Sequence, residues 1–155
     1  LKVYKEMGLK IKKLSNSSYE IYCKTLKPVK KISTKEFPGY PTDLQAQLIA
    51  TQLKSGLKSK VVENIFENRF IHIPELRRFG ANLSIKGNTV TIDKTSNLLG
   101  AEVMATDIRA SFSLIIAAMM SKGKTVINRI YHLDRGYEDF DLKLKKCGVN
   151  ISRKK

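Results

Sequence analysis

From Tyr40 onward the apolar positions run through a regular succession of periods. Tyr40-Pro-Thr-Asp-Leu-Gln-Ala-Gln47 opens a stretch with helical apolar spacing that ends at Gly56, and the β-branched pair Val61-Val62 then reads as a strand. A loop carrying Glu67-Asn68-Arg69 leads into a shorter helical stretch that stops at Leu76-Arg-Arg-Phe-Gly80. Glycine there supplies the left-handed residue that ends a helix. Ala81-Asn82-Leu83 reads as the next strand, and Gly87-Asn88 turns it back into Val90-Thr-Ile92, a hairpin signal.

The same succession returns 64 residues later. Met104-Ala-Thr-Asp-Ile-Arg-Ala-Ser111 corresponds to the opening string, Thr125-Val126-Ile127 to the strand, and Leu133-Asp134-Arg135 to the loop. Leu144-Lys-Lys-Cys-Gly148 matches the short helix and its stop, so Cys147 stands where Phe79 stands and is expected in the core; Val149-Asn150-Ile151 is the expected strand after it. Internal repetition of this kind takes precedence over any single motif. Leu1 to Gly8 matches only the end of the short helix, and Leu9-Lys-Ile11 the strand that follows. The chain is thus expected to begin inside a helix, as the C-terminal part of a longer protein; the alternative is a short first helix starting at Leu1.

Each unit therefore reads as strand, helix, strand, helix, strand, strand, which predicts an α/β fold built of repeated two-layer units. The helix expected from Asp107 to Lys122 is apolar around nearly its whole circumference. Such a helix belongs inside, so the units are expected to pack helix to helix with their sheets outward. If the first unit is broken, part of this helix should be left uncovered.

Composition narrows the classes. The chain has 155 residues, 42% of them hydrophobic, enough for one ordinary core. The apolar run from Phe112 to Met120 is too short to cross a bilayer, and no leader is evident at Leu1. Cys23 and Cys147 have neither zinc nor redox spacing, so a reducing cytoplasm is the expected compartment. The net charge is +15, and residues 1–35 hold ten lysines against Glu6 and Glu20. That excess raises the alternative of a basic binding module. Lysine outnumbers arginine 22 to 7, however, and aromatics are 8%, whereas nucleic-acid grooves interleave Arg with rings. A solvated lysine face is the better reading, with neither nucleic acid nor membrane as partner.

The chemistry-bearing candidates gather at the repeats. Thr42-Asp43 and Thr106-Asp107 stand at the start of the long helix in both copies, where capping explains either pair. Arg69 and Arg135 share a loop position, and Arg109 follows Asp107 by two. An inherited internal Asp–Arg pair and a ligand site both remain open on these residues alone. If the helix N-termini converge, the two carboxylates and three guanidinium groups suit a small ligand bearing phosphate and carboxylate, with a carboxylate placed to accept a hydroxyl proton. His72 and His132 have no ligand-spaced partners, so structural or surface roles are expected and no metal is. No P-loop, dinucleotide fingerprint or nucleophile elbow is present.

Four strings in order carry a resemblance: Phe37-Pro-Gly-Tyr-Pro-Thr-Asp-Leu-Gln-Ala-Gln47, Glu63-Asn-Ile-Phe-Glu-Asn-Arg-Phe70, Gly100-Ala-Glu-Val-Met-Ala-Thr-Asp-Ile-Arg-Ala110 and Arg129-Ile-Tyr-His-Leu-Asp-Arg-Gly-Tyr-Glu138. They resemble the UDP-N-acetylglucosamine enolpyruvyl transferases over essentially the whole chain. The resemblance implies an inside-out α/β barrel, helices within and sheets outside, here incomplete. It divides the chain into the tail of one unit (1–35) and two further units (36–99 and 100–155) of one catalytic domain, without the family's first domain. With that domain go the family's cysteine general acid, which neither Cys23 nor Cys147 matches, and an N-terminal Lys-Asn pair.

The implied reaction transfers the enolpyruvyl group of phosphoenolpyruvate to the sugar 3-hydroxyl in the first committed step of peptidoglycan synthesis, with no metal or organic cofactor. By resemblance, Asp43 holds and deprotonates that hydroxyl, and Ile65 touches the nucleotide-sugar through its backbone. Arg69, Arg109 and Arg135 surround phosphoenolpyruvate and its adduct, and Asp107 assists proton movement at the pyruvyl carbon.

Overall fold

A computed structural model describes residues 1–154. The sheet of the second unit begins at Lys31, ahead of the expected boundary at residue 36, because Ile32 pairs in parallel with Val61. This four-stranded sheet runs in the order β3 (Lys31–Ser33), β4 (Ser59–Val62), β6 (Thr89–Ile92), β5 (Leu83–Lys86). β3 and β4 are parallel, connected through α2 (Gln45–Gln52); β4–β6 and β6–β5 are antiparallel, and α3 (Ile73–Arg78) leads from β4 towards β5. The expected hairpin thus forms at Gly87-Asn88, with Ile85 opposite Val90. Val61, Val90 and Ile92 face the core on alternate positions, as a sheet with one solvated side requires.

The third unit repeats the first half of this plan. β7 (Glu102–Met104) and β8 (Val126–Asn128) are parallel, joined through α4 (Ile108–Met120), and α5 (Tyr131–Asp134) and α6 (Phe140–Lys146) follow. Ahead of both units stand α1 (Lys2–Glu6) and a separate hairpin of β1 (Lys10–Lys13) and β2 (Tyr19–Tyr22).

What joins the units is α2 lying against α4. Ala46 and Ala50 of α2 and Ala110 and Ala117 of α4 are buried, as are Leu48, Ile49 and Leu114, which belong to one core cluster. Each fully buried aliphatic side chain contributes about 1.5–3 kcal/mol. The same core takes in Val61, Leu76, Phe79 and Val90 from the sheet and α3, and Val103 from β7, so two units share one interior. As the apolar circumference predicts, α4 is covered nearly all round; of its residues only Met119 is exposed. The β1–β2 hairpin, by contrast, leaves Leu14, Tyr19, Ile21 and Tyr22 exposed.

Two expectations are corrected in the third unit. Val149-Asn150-Ile151 is not a strand. In the second unit β5 is held by β6, and no described strand takes that part here; Ile151 packs instead against the small cluster of Ile115, Leu133 and Phe140. For the same reason Cys147 is exposed rather than core. Its counterpart Phe79 is wholly buried under the segment in which Leu99 N–H bonds the Phe79 carbonyl, a cover that α6 lacks. The two glycine stops are as expected, Gly80 and Gly148 having φ of 84° and 88°.

His72, expected to be structural or superficial, is buried at the start of α3 with its ring edge towards Phe70. Its Nε2 has no partner among the described residues, and burial lowers its pKa to about 4 despite the opposing field of Asp107. The folded value lies below the unfolded one, so this histidine's contribution to stability is complete above about pH 6.5 and is lost as the pH falls towards 4. Urea unfolding across that window should show a loss of up to about 3 kcal/mol that His72→Phe removes; an unchanged pH slope in the variant would contradict the assignment. A second test concerns Gly100, where an added Cβ would sit 2.2 Å from the Lys124 carbonyl oxygen. Because the obstacle is backbone, Gly100→Ala should destabilise by about 2 kcal/mol, whereas a denaturation midpoint equal to that of the unmodified chain would show that the β7 connection shifts freely.

Candidate functional site

The turn at Thr42–Leu44 and the first turn of α4 come from different units, and the α2–α4 packing sets them side by side. The two copies of the Thr-Asp pair do different work there. Asp107 is an N-cap: with extended backbone, its Oδ1 accepts from Arg109 N–H at 2.7 Å and Ala110 N–H at 2.8 Å. Asp43 caps nothing, because its segment is a 3-10 turn without a side-chain cap. Its carboxylate is instead shared by two arginines, Arg109 donating from Nε at 2.6 Å and Arg69 from Nη2 at 3.2 Å.

Arg109 is the second residue of α4 and reaches across the unit boundary to Asp43. Only its Nε is engaged in the described bonds, so both Nη groups retain their donors for a planar anion. Arg69, from the loop before α3, is held more tightly. Nη1 donates to Thr42 Oγ1 at 2.8 Å, Nη2 to Asp43, and the guanidinium lies 4.6 Å from the centroid of the Phe66 ring. Both arginines bond Asp43 through Oδ1, leaving Oδ2 without a described partner. The cluster is open to solvent at Asp43, whose side chain is 61% exposed, so its ion pairs orient groups rather than stabilise the fold.

The residues beneath were not assigned from sequence. Glu63 is 2% exposed, yet its carboxylate is fully partnered. Oε1 accepts from Thr34 Oγ1 at 2.8 Å, Ile65 N–H at 2.9 Å and Phe66 N–H at 3.2 Å; Oε2 accepts from Thr42 Oγ1 at 2.8 Å. A signal for it exists in the sequence: Ser59, Val61 and Glu63 lie on one face by the period of two along β4, and all three are buried. A carboxylate on a buried face must find donors. Ile65, half-buried, is thereby fixed through its backbone N–H, and its carbonyl is outside this network.

Arg135 does not join the cluster through a described bond. It is exposed at the end of α5, its guanidinium 5.7 Å from the centroid of the Tyr131 ring. The neighbouring Gly136 packs onto the Ile108 side chain, bringing the Arg135 loop to the first turn of α4. Asp134 is occupied by Arg153, whose Nη1 donates at 3.1 Å and whose Nη2 makes a second bond, while Arg153 Nε donates to Asp141 at 3.0 Å. This fork holds the Asp134 carboxyl below the usual carboxylate range. An open cleft of about 790 Å³ runs past these residues and Tyr137. Among the described residues no group of three or more His, Cys, Asp or Glu is placed to hold a metal ion, and no helix is long and apolar enough to cross a membrane.

Comparison with known proteins places this geometry. The chain is 50% identical over 155 residues to the UDP-N-acetylglucosamine 1-carboxyvinyltransferase of Pelagibacter ubique, covering 99% of this chain and 36% of that protein. It is 57% identical over 122 residues to the enzyme of that name from Rhodopseudomonas palustris, covering 79% of this chain and 28% of that one. Among solved structures, the enolpyruvyl transferase NikO from Streptomyces tendae superposes with a TM-score of 0.84 at 25% identity, over 97% of this chain and 35% of that one. An EPSP synthase from Acinetobacter baumannii shares the fold, with a TM-score of 0.63 at 15% identity over 81% of this chain and 30% of its own. The chain thus spans about a third of the length of such relatives. With residues 1–144 matching the family model described as EPSP synthase (3-phosphoshikimate 1-carboxyvinyltransferase), the chain belongs to that family of carboxyvinyl transferases, as a partial enolpyruvyl transferase fold.

Proposed function

We propose that these residues form the catalytic-domain wall of an enzyme that transfers the enolpyruvyl group of phosphoenolpyruvate to the 3-hydroxyl of UDP-N-acetylglucosamine, the first committed step of peptidoglycan synthesis. The observation that carries the proposal is the cross-unit cluster of Asp43 with Arg69 and Arg109. The 50% identity with the Pelagibacter ubique enzyme supports the nucleotide-sugar as acceptor. The remaining two thirds of the relatives' length supplies, in this reading, the opposite wall and the general acid.

The chemistry follows from the donors. A proton delivered to the methylene carbon of phosphoenolpyruvate makes C2 electrophilic, and the sugar oxygen attacks it as its proton passes to Asp43 Oδ2, the oxygen free of arginine. The tetrahedral adduct then breaks its C2–O bond to phosphate while the methyl carbon gives up a proton, restoring the double bond. Asp107 has one carboxylate oxygen outside its cap bonds, and that oxygen is assigned the proton. The free Nη groups of Arg109 and the unpaired Arg135 meet the carboxylate and phosphate, and Arg69, braced by Thr42 and Phe66, keeps its place as charge shifts.

The 155-residue chain alone should release no phosphate from the two substrates above background. A chimera in which it replaces the matching segment of the Pelagibacter ubique enzyme should turn over. In that chimera Asp43→Asn should lower kcat ~100- to 10,000-fold, and Arg135→Ala should abolish turnover. An inactive chimera that binds neither substrate would overturn the assignment of the reaction. Full activity in either variant would refute the role given to that residue.

A further inference from the structure

Glu63 divides its two oxygens between two tasks. Oε1 takes three donors, Thr34 Oγ1 and the N–H groups of Ile65 and Phe66, and so closes the loop after β4. Oε2 takes one, the hydroxyl of Thr42, which belongs to the turn that carries Asp43. That hydroxyl has a single proton. Spent on Glu63, it leaves the Thr42 oxygen as an acceptor, and the group donating to it is Arg69 Nη1, 2.8 Å away. The neighbouring Nη2 of the same guanidinium then reaches Asp43. A chain of proton directions thus runs from a buried carboxylate outward to the exposed site.

We infer that Glu63 is a positioning residue for the transfer reaction, one that sets the direction of the Thr42 hydroxyl and through it the seat of Arg69 beside Asp43. The inference rests on the reading of Asp43 and Arg69 as substrate-binding groups. It separates from a plain structural role at Oε2. In Glu63→Gln the amide oxygen can keep the three loop donors, because they all fall on one oxygen. The amide nitrogen must then face Thr42 and donate to it. The Thr42 proton is turned outward against Arg69 Nη1, and two donors confront each other.

The test has two arms. In the first, made on the 155-residue chain without substrate, NMR follows hydrogen exchange of the Arg69 guanidinium protons. Glu63→Gln and Thr42→Val should each accelerate it about tenfold or more, the loss expected for one charge-assisted bond. In the second, in the chimera, each variant should lower kcat/KM about 10- to 100-fold, and the double variant should be no worse than the poorer single one, since both break the same link. Unchanged Arg69 exchange in Glu63→Gln, or effects that multiply in the double variant, would overturn the inference. Should Glu63→Gln fail to fold, Glu63→Asp takes its place, drawing the carboxylate back from Thr42 without adding a donor: faster Arg69 exchange upholds the inference, and unchanged exchange overturns it. A chimera without turnover counts against the proposed reaction only, because the exchange arm decides this inference by itself.

Discussion

The packing of α2 against α4 is the constraint on which the rest depends. Both helices bury small residues, Ala46 and Ala50 on α2 and Ala110 and Ala117 on α4, and Leu48, Ile49 and Leu114 are buried with them. Once that packing is set, the 3-10 turn ahead of α2 and the first turn of α4 lie at the same end. No side chain within one unit makes the Asp43–Arg109 pair; it exists because two copies of one sequence pattern bury their helices against each other. A helix as apolar as α4 has no stable place on a sheet with one face in water, so the feature that forces the units together also assembles the site.

Duplication supplied two similar helix starts, and the structure uses them differently. In one, Asp107 satisfies the free N–H groups of a long helix. In the other, the chain enters through a 3-10 turn, the cap is not made, and Asp43 is released to two arginines. The buried layer beneath is uncharged on its donor side: two hydroxyls and two backbone N–H groups surround Glu63. Rigid hydrogen bonds below and solvated ion pairs above give a surface that is ordered yet open to a charged ligand.

The sequence shows the architecture because periodicity is a property of backbone geometry. The repeat, the glycine stops at Gly80 and Gly148, the Gly87-Asn88 hairpin and the buried character of α4 all come from positions where one residue type fits one conformation. It misleads where a strand or core position depends on a partner, as at Val149–Ile151 and Cys147, whose counterparts are covered by other segments. For the site, Asp43, Arg69, Arg109 and Asp107 are visible as a pattern, but which aspartate caps and which binds arginine is not, since both follow a threonine at equivalent places. Arg135 is legible as a loop arginine, yet its distance from the Asp43 cluster depends on how Gly136 seats on Ile108. Glu63 escapes a search for chemistry because it follows the β-branched pair Val61-Val62 just past the end of β4; only the alternation continued one residue further exposes it.

The central claim is that two units form one cooperative body around α2 and α4, and that the Asp43–Arg109 pair is carried by that body. The most direct measurement is urea unfolding of the chain followed residue by residue by NMR. Amide signals of Val61 and Val90 in the second unit and of Leu114 and Ala117 in the third should vanish in one transition with a common midpoint, together with the guanidinium signal of Arg109. Two separated transitions, with the sheet of the second unit surviving after α4 has melted, would contradict the account.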